Sequence, residues 1–246
     1  EQLSSGRQRL FHQWLTRRGQ HYPLQYLRGK QEFYGREFLV RPGVFIPRPE
    51  TELLLEAALE LLGQSLEKEL QIADVGTGSG CVAVTLACEE PRARVAAIDI
   101  SSTALQAARQ NAEFHRCQGQ IRFYEGAALH PLKAQQQRLH LIISNPPYVS
   151  TLDRESIDLA VSRYEPDEAV FSGKSGHEMY LELFRQGGEV LHPEGKLIVE
   201  LGWGEAASVT RLAEENGWFL EETRKDLAGT DRCAIFGVRG ETKSFF

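Results

Sequence analysis

Positive charge is not in excess in this 246-residue chain: 28 lysines and arginines face 34 aspartates and glutamates, for a net charge of −6. A protein built to hold duplex DNA usually carries the opposite sign, because phosphate neutralisation supplies most of its affinity. The balance lowers the case for such a binder without excluding a local basic patch. Cysteine is sparse. Cys81, Cys88, Cys117 and Cys233 show no C-x-x-C spacing. No signal peptide is visible, and no apolar run reaches the roughly 18 residues of a membrane span. A reduced intracellular compartment and no membrane association are therefore expected. The seven histidines form neither H-x-x-x-H nor H-E-x-x-H, so no metal is expected. A G-x-S-x-G elbow is missing, which leaves a serine hydrolase unsupported. Gly173-Lys174-Ser175 ends like a P-loop, but Glu168 stands where the first glycine is needed. The only methionine is Met179 and the chain opens on Glu1, so the natural start is expected upstream, with any targeting segment.

What is present is ordinary globular composition, 41% apolar and 25% charged, of a size for one large α/β domain or one domain with a small appendage. Residues 1–20 read as one helix, with Leu3, Leu10, Phe11, Trp14 and Leu15 on an apolar face. Residues 23–46 carry short aromatic runs broken by Gly29, Gly35 and Gly43 and read as a β-hairpin. "IPRPETELLLEAALELL" then opens a helix, with Pro49 in its first turn and Glu50 and Glu52 at its positive end. From residue 71 strands and helices alternate. Strands are predicted at 71–75, 95–99, 121–124, 139–144, 196–201, 218–223 and 232–238. Helices are predicted at about 79–89, 102–115, 176–191 and 204–216. Such alternation predicts a doubly wound, mostly parallel seven-stranded sheet, its last two strands forming a hairpin that adds an antiparallel edge.

"IADVGTGSGCVAV" is the strongest local signal. A strand ends at Asp74-Val75, and Gly76, Gly78 and Gly80 turn the chain into a helix. Glycines permit positive φ and close approach of a ligand to the backbone, while the helix offers free N–H groups. Asp99 ends the next strand, 19 residues after Gly80, where an acid can hold two ribose hydroxyls. A dinucleotide fingerprint wants glycine or alanine at position 81, which is cysteine. G-x-G-x-G preceded by an acid suits S-adenosylmethionine better, and Asp74 could balance its ammonium group directly or through water.

"SNPPYV" at 144–149 stops the fourth strand, since two prolines cannot donate to a ladder. That strand lies beside the first in a doubly wound sheet, so Asn145 would face the glycine loop at the strands' carboxyl ends. A planar –NH2 group is a poor nucleophile because its lone pair is delocalised. The Asn145 side-chain oxygen and the Pro146 carbonyl could accept its two hydrogens and stabilise the cation that develops on nitrogen. The enzyme must then chiefly hold that nitrogen about 3 Å from the methyl carbon. Pro146 and Pro147 fix the loop, and Tyr148 can pack on the flat substrate group. These features alone do not choose between an amide and an aromatic amine.

Over most of residues 20–238 the chain resembles the protein-(glutamine-N5) methyltransferases that act on peptide chain release factors, the HemK/PrmC family. The resemblance rests on "PLQYLRGKQEFYG", "FIPRPETELL", "ADVGTGSGC", "AIDIS", "ISNPPYV", "YEP" at 164–166 and "DLAGTDR", with "IPRPETE" the most discriminating. It implies an S-adenosylmethionine-dependent methyltransferase fold over 49–240, a β-hairpin linker over 23–48, a remnant helix of an N-terminal substrate-binding domain over 1–22 and a tail over 241–246. It implies that Gly76, Thr77, Gly78, Ser79 and Gly80 wrap the methionine part of the cofactor and that Asp99, followed by Ile100, holds the ribose. Asn145, Pro146, Pro147 and Tyr148 would hold the substrate glutamine, with Asn145 also near the cofactor. Phe45, Ile46 and Pro47 would line the pocket, and Arg48 or Glu50 would tie the linker to the sheet. The implied substrate is the glutamine of the release factor's Gly-Gly-Gln motif. The implied setting is a monomer in the bacterial cytoplasm or an organelle, without direct nucleic-acid binding.

Two departures stand out. Where the family commonly has an acid and a large side chain by the adenine, this chain has Ala127 and Ala128. Adenine packing would be looser there, or Glu125 or Leu129 would substitute. The N-terminal helical domain is reduced to one helix, which would weaken binding of the protein substrate. The alternatives are an adenine-N6 methyltransferase on DNA or RNA, a glutamine methyltransferase of a ribosomal protein, and a cofactor-binding module without catalysis.

Overall fold

The structure is a computed structural model and describes residues 4–133 and 138–239. Leu3, residue 240 and the expected tail at 241–246 lie outside the described residues. Helix α1 (Ser5–Arg18) starts where the Ser4 side chain accepts from the Arg7 N–H, and it buries no residue. Its expected apolar face exists, but Leu10, Phe11 and Leu15 stay about half exposed.

The expected hairpin over 23–46 is shorter than its aromatic runs imply. Its first part is a single helical turn, α2 (Leu24–Arg28), opened at Pro23 and closed by Gly29 in the left-handed region at φ 71°. Tyr26 is the reason for the turn: it is buried and its hydroxyl donates to the Val44 carbonyl at 2.7 Å. Strands β1 (Lys30–Phe33) and β2 (Arg36–Leu39) then pair antiparallel across Tyr34-Gly35. Both of those residues have positive φ, as a two-residue turn between twisted strands requires. A short 3-10 turn at Pro49–Thr51 leads into α3 (Glu52–Gln64).

The alternating region follows as read. It runs β3 (Leu70–Val75), α4 (Cys81–Glu89), β4 (Ala93–Asp99), α5 (Ser102–Phe114), β5 (Ile121–Glu125), α6 (His130–Lys133) and β6 (Leu139–Ser144). After a connection that holds the short helices α7 (Leu159–Tyr164) and α8 (Asp167–Val170) come α9 (Glu178–Val190), β7 (Leu191–Glu200), α10 (Ala206–Glu215), β8 (Trp218–Lys225) and β9 (Asp231–Val238). The seven-stranded sheet has the order β5-β4-β3-β6-β7-β9-β8. All neighbours pair parallel except those of β9. The last hairpin therefore does not end on an antiparallel edge. Its second strand, β9, inserts beside β7, and β8 is the edge and runs with the rest.

Packing explains the insertion: β9 is buried from Cys233 to Gly237, while β8 buries only Trp218 and leaves half of its residues exposed. Only the strand buried on both faces can sit inside the sheet. Helices α3, α4 and α5 cover one face, with Leu54, Leu86 and Ile72 in the core; α9 and α10 cover the other, around Phe184, Trp218 and Phe236. Among the described residues no helix is long and apolar enough to cross a membrane.

One side chain joins the lead-in to the sheet. Asn111 of α5 is fully buried; its Nδ2 donates to the Leu39 carbonyl at 3.0 Å and the Ser79 carbonyl at 2.8 Å, while its Oδ1 accepts from the Leu39 N–H at 2.8 Å. An Asn111→Leu variant keeps the branched shape and orphans three backbone groups. It should lose about 1–3 kcal/mol or more in urea denaturation. A loss within measurement error would show that the hairpin is not held this way.

Candidate active site

The carboxyl ends of β3, β4 and β6 meet at one edge of the sheet. After Val75 the chain turns through Gly76, Gly78 and Gly80, all at positive φ. The N–H groups of Gly76 and Thr77 both donate to the Ile98 carbonyl, at 2.8 and 3.0 Å. The N–H of Gly78 donates to Asp99 Oδ2 at 2.8 Å, and that of Ser101 to Asp99 Oδ1 at 2.8 Å. Asp99 thus braces the loop as well as facing the cavity beside it. Asp74 is buried, and its Oδ2 accepts from Thr77 Oγ1 at 2.6 Å and the Ala83 N–H at 3.1 Å. Burial pushes its carboxyl up to about 7 despite those two donors. Burial also raises Asp99, with the charge of Glu168 adding to the effect.

On β6, Val75 and Ser144 are paired across the strands, and the Ser144 hydroxyl donates to the Val75 carbonyl at 2.7 Å. This delivers Asn145 next to Gly76, where an added Cβ would lie 3.8 Å from the Asn145 carbonyl. The Asn145 Nδ2 donates to Thr51 Oγ1 at 3.0 Å, and the Thr51 hydroxyl donates to Glu200 Oε2 at 2.6 Å. Thr51 and Glu200 are both buried, and burial pushes the Glu200 carboxyl up to about 7.

These elements enclose a cavity of about 290 Å³. Its wall includes Gly76, Thr77, Gly78 and Ser79 from the glycine loop, together with Asp74. Asp99 and Ile100 come from the end of β4, Ala127 and Ala128 from the loop after β5, Phe45 and Pro47 from the lead-in, and Asn145 and Pro147 from the end of β6. Among the described residues three carboxylates, Asp74, Asp99 and Glu168, line it, and no lysine, arginine or histidine does. That lining favours a ligand with net positive charge over a pyrophosphate.

Several expected site residues are placed elsewhere. Gly80 is not in the wall: an added Cβ there would come within 2.9 Å of Ala108 Cβ, so it lets α4 pack on α5. Pro146 is buried and Tyr148 packs against the core cluster that holds Tyr180 and Leu201; neither lines this cavity. Ile46 turns away into a small cluster with Tyr26 and Val40. Glu125 and Leu129 do not take the place left by Ala127 and Ala128. Leu129 is fully buried, its N–H bonded to Gln186. Arg48 ties the linker to the connection after β6 rather than to the sheet. It pairs with the buried Glu165, which also accepts from the Ile46 N–H at 3.1 Å. Glu50 is exposed. The residues missed by sequence reading are Thr51, Glu168, Phe171 and Met179. Thr51 lies inside "IPRPETE", so its signal was present; Glu168 and Phe171 come from a stretch with no periodic pattern, and Met179 sits at the start of the helix expected at 176–191 with nothing to mark it as a site residue.

The sequence family described as "Methyltransferase small domain" matches residues 36–161, which cover the glycine loop and Asn-Pro-Pro-Tyr. The site and sheet are thus those of a methyltransferase. Within that class the chain belongs to the release factor glutamine methyltransferases. It is 40% identical over 234 residues to the release factor glutamine methyltransferase of Koribacter versatilis, covering 95% of this chain and 81% of the relative. It is 39% identical over 217 residues to that of Enterococcus faecalis, covering 87% and 75%. In fold it is similar to a crystal structure of a methyltransferase from Pyrococcus furiosus, with a TM-score of 0.59 at 18% identity over 96% of this chain and all of the other.

The burial of Asp74 has a pH signature. Between its ordinary value of 3.8 and its raised value of about 7, the folded protein keeps a proton that the unfolded chain has released. Stability contributed at this site therefore falls as pH rises through that window. Asp74→Asn retains one oxygen for Thr77 and Ala83. Its stability relative to the parent should rise from about pH 4 to 7 and level off above, in urea titrations across that range. A difference independent of pH would mean that Asp74 titrates in the folded protein as it does in the unfolded chain.

Proposed function

We propose that this protein transfers a methyl group from S-adenosylmethionine to the side-chain amide nitrogen (N5) of the glutamine in the Gly-Gly-Gln motif of peptide chain release factors, in support of translation termination. The observation that carries the reading is the position of Asn145: it ends β6 beside the glycine loop, on the wall of an anionic cavity, with its Nδ2 committed to Thr51. Its Oδ1 remains to accept a substrate N–H.

The residues present fit the cofactor. A sulfonium and an ammonium against one carboxylate leave S-adenosylmethionine a net cation, matched by Asp74, Asp99 and Glu168. When bound it supplies a methyl group on a sulfur that leaves readily. Gly76, Gly78 and the intervening Thr77 bring backbone close to its amino-acid end, and Asp99 holds the ribose. The small side chains of Ala127 and Ala128, with Ile100 at the 62%-exposed rim, leave room for a flat base. No acid or base need act on sulfur.

The chain's remaining task is to hold a weakly nucleophilic amide. Asn145 Oδ1 and the Pro146 carbonyl accept its two hydrogens, which aligns the nitrogen and stabilises the charge it develops. Tyr148 shapes the approach; burial pushes its phenol up to about 12, so it stays protonated over any assay range. The names of the relatives support a release factor as substrate. An anionic cavity without basic side chains supports a protein substrate over direct nucleic-acid binding. We take the enzyme as a monomer of the bacterial cytoplasm.

Two measurements check this. Methyl-labelled cofactor should label a purified release factor and spare a Gln→Ala variant of its Gly-Gly-Gln motif. Label in the variant, or in DNA or RNA instead, would contradict the reading. By calorimetry, Asp99→Ala should weaken S-adenosylmethionine binding by about 10- to 100-fold, the worth of one or two charge-assisted hydrogen bonds. Unchanged affinity would remove Asp99 from the cofactor site.

A further inference from the structure

We propose that Thr51 and Glu200 are positioning residues that dictate which way round the Asn145 amide is held, and so whether it offers the substrate an oxygen. The proposal rests on the reading of Asn145 as an acceptor for the substrate amide.

Three residues distant in sequence meet in one line. Asn145 Nδ2 is 3.0 Å from Thr51 Oγ1, and Thr51 Oγ1 is 2.6 Å from Glu200 Oε2. An asparagine amide is nearly symmetric in shape, so packing alone does not choose between its oxygen and its nitrogen. The relay does choose. An ionised carboxylate has no proton to give, so the one hydroxyl hydrogen of Thr51 goes to Glu200. Only lone pairs are then left on Thr51 Oγ1 to face Asn145. They accept an N–H and repel a carbonyl oxygen. Nδ2 must turn to Thr51, and Oδ1 is left as an acceptor for substrate. Turned the other way, Asn145 would offer the substrate –NH2 group another donor and hold it badly.

Both ends of the line are anchored. Glu200 pairs with Cys233 in the sheet, and its carbonyl accepts from the Tyr180 hydroxyl at 2.7 Å. Thr51 is fixed by the Pro49–Thr51 turn, its N–H donating to the Arg48 carbonyl at 3.2 Å. Packing gives no reason for this chemistry. Thr51 is 2% and Glu200 3% exposed, and a valine beside an apolar residue would fill the same space without burying a carboxylate. The polar line makes sense as the means of orienting Asn145. It also gives "IPRPETE" a part beyond lining the cavity: its threonine sets the polarity of a group 94 residues away.

The test uses Thr51→Val, Thr51→Ser and Glu200→Met, assayed on release factor at about pH 8, above the raised Glu200 value of about 7. Thr51→Val is isosteric and should lower kcat on the order of 10- to 100-fold, as misaligned reactants do, while the KM for S-adenosylmethionine stays within about threefold. Thr51→Ser restores the hydroxyl and should keep at least about a third of the parent kcat. Glu200→Met removes the acceptor at the end of the line, frees the Thr51 hydroxyl hydrogen to turn to Asn145, and should lower kcat by at least about fivefold; it decides the matter if Thr51→Val does not fold. Parent-like kcat in Thr51→Val or Glu200→Met, or a loss in Thr51→Ser equal to that in Thr51→Val, would overturn the proposal. A second readout needs no turnover. In NMR, one Asn145 side-chain N–H should exchange slowly with solvent in the parent and Thr51→Ser, and quickly in Thr51→Val. Equal exchange in all three would refute the relay. A parent protein that shows slow exchange but never methylates release factor would refute the proposed function and leave the relay standing.

Discussion

The register between β3 and β6 is the constraint on which the site depends. Val75 stands opposite Ser144, and the Ser144 hydroxyl closes on the Val75 carbonyl. One residue later the two chains diverge, one into the glycine loop and the other into Asn-Pro-Pro-Tyr. A slip of a single residue would turn every side chain on β6 to the opposite face and carry Asn145 away from Gly76. Two apolar layers prevent the slip, since both strands are buried almost throughout by helices on either side. The energy of an ordinary α/β core is thus converted into the placement of one amide group. Asp99 plays a similar part for β4, its two oxygens tying Gly78 and Ser101 to the end of that strand.

Charge supplies the second layer of specificity. A glycine loop at a helix start would ordinarily favour an anion. Here Asp74, Asp99 and Glu168 line the same cavity, and among the described residues no basic side chain does. The backbone N–H groups of Gly76, Thr77 and Gly78 are already spent on Ile98 and Asp99. The loop therefore resembles a phosphate cradle in shape but has the opposite electrostatic preference. Burying carboxylates opposes folding, and Asp74 and Glu200 are both pushed up to about 7 by it. Such groups persist where function uses them.

Much of this was legible in the sequence, for physical reasons. Strands β3, β4 and β6 are short apolar runs that break off at Val75, Asp99 and Ser144. Gly76, Asp99 and Asn145 stand where such strands end, so their meeting follows from the doubly wound order. Elements with weak periodicity were harder. Residues 24–28 look like a strand by composition, yet Pro23 and Gly29 frame one helical turn that buries Tyr26. The order of the last two strands turned on which was buried on both faces. Gly80 reads as a ligand glycine, but what it meets is Ala108, a fact of helix packing. The line from Asn145 through Thr51 to Glu200 spans three distant segments; no spacing rule connects them, and only the folded chain does.

The central claim is that the end of β6, set against an anionic cofactor cavity, methylates an amide. The most direct test is tandem mass spectrometry of release factor after treatment with S-adenosylmethionine and either the parent protein or Asn145→Ala. The account expects one added methyl, located on the side-chain nitrogen of the Gly-Gly-Gln glutamine, with the parent protein, and at most a trace with the variant. A methyl on any other residue, or equal modification by Asn145→Ala, would contradict it.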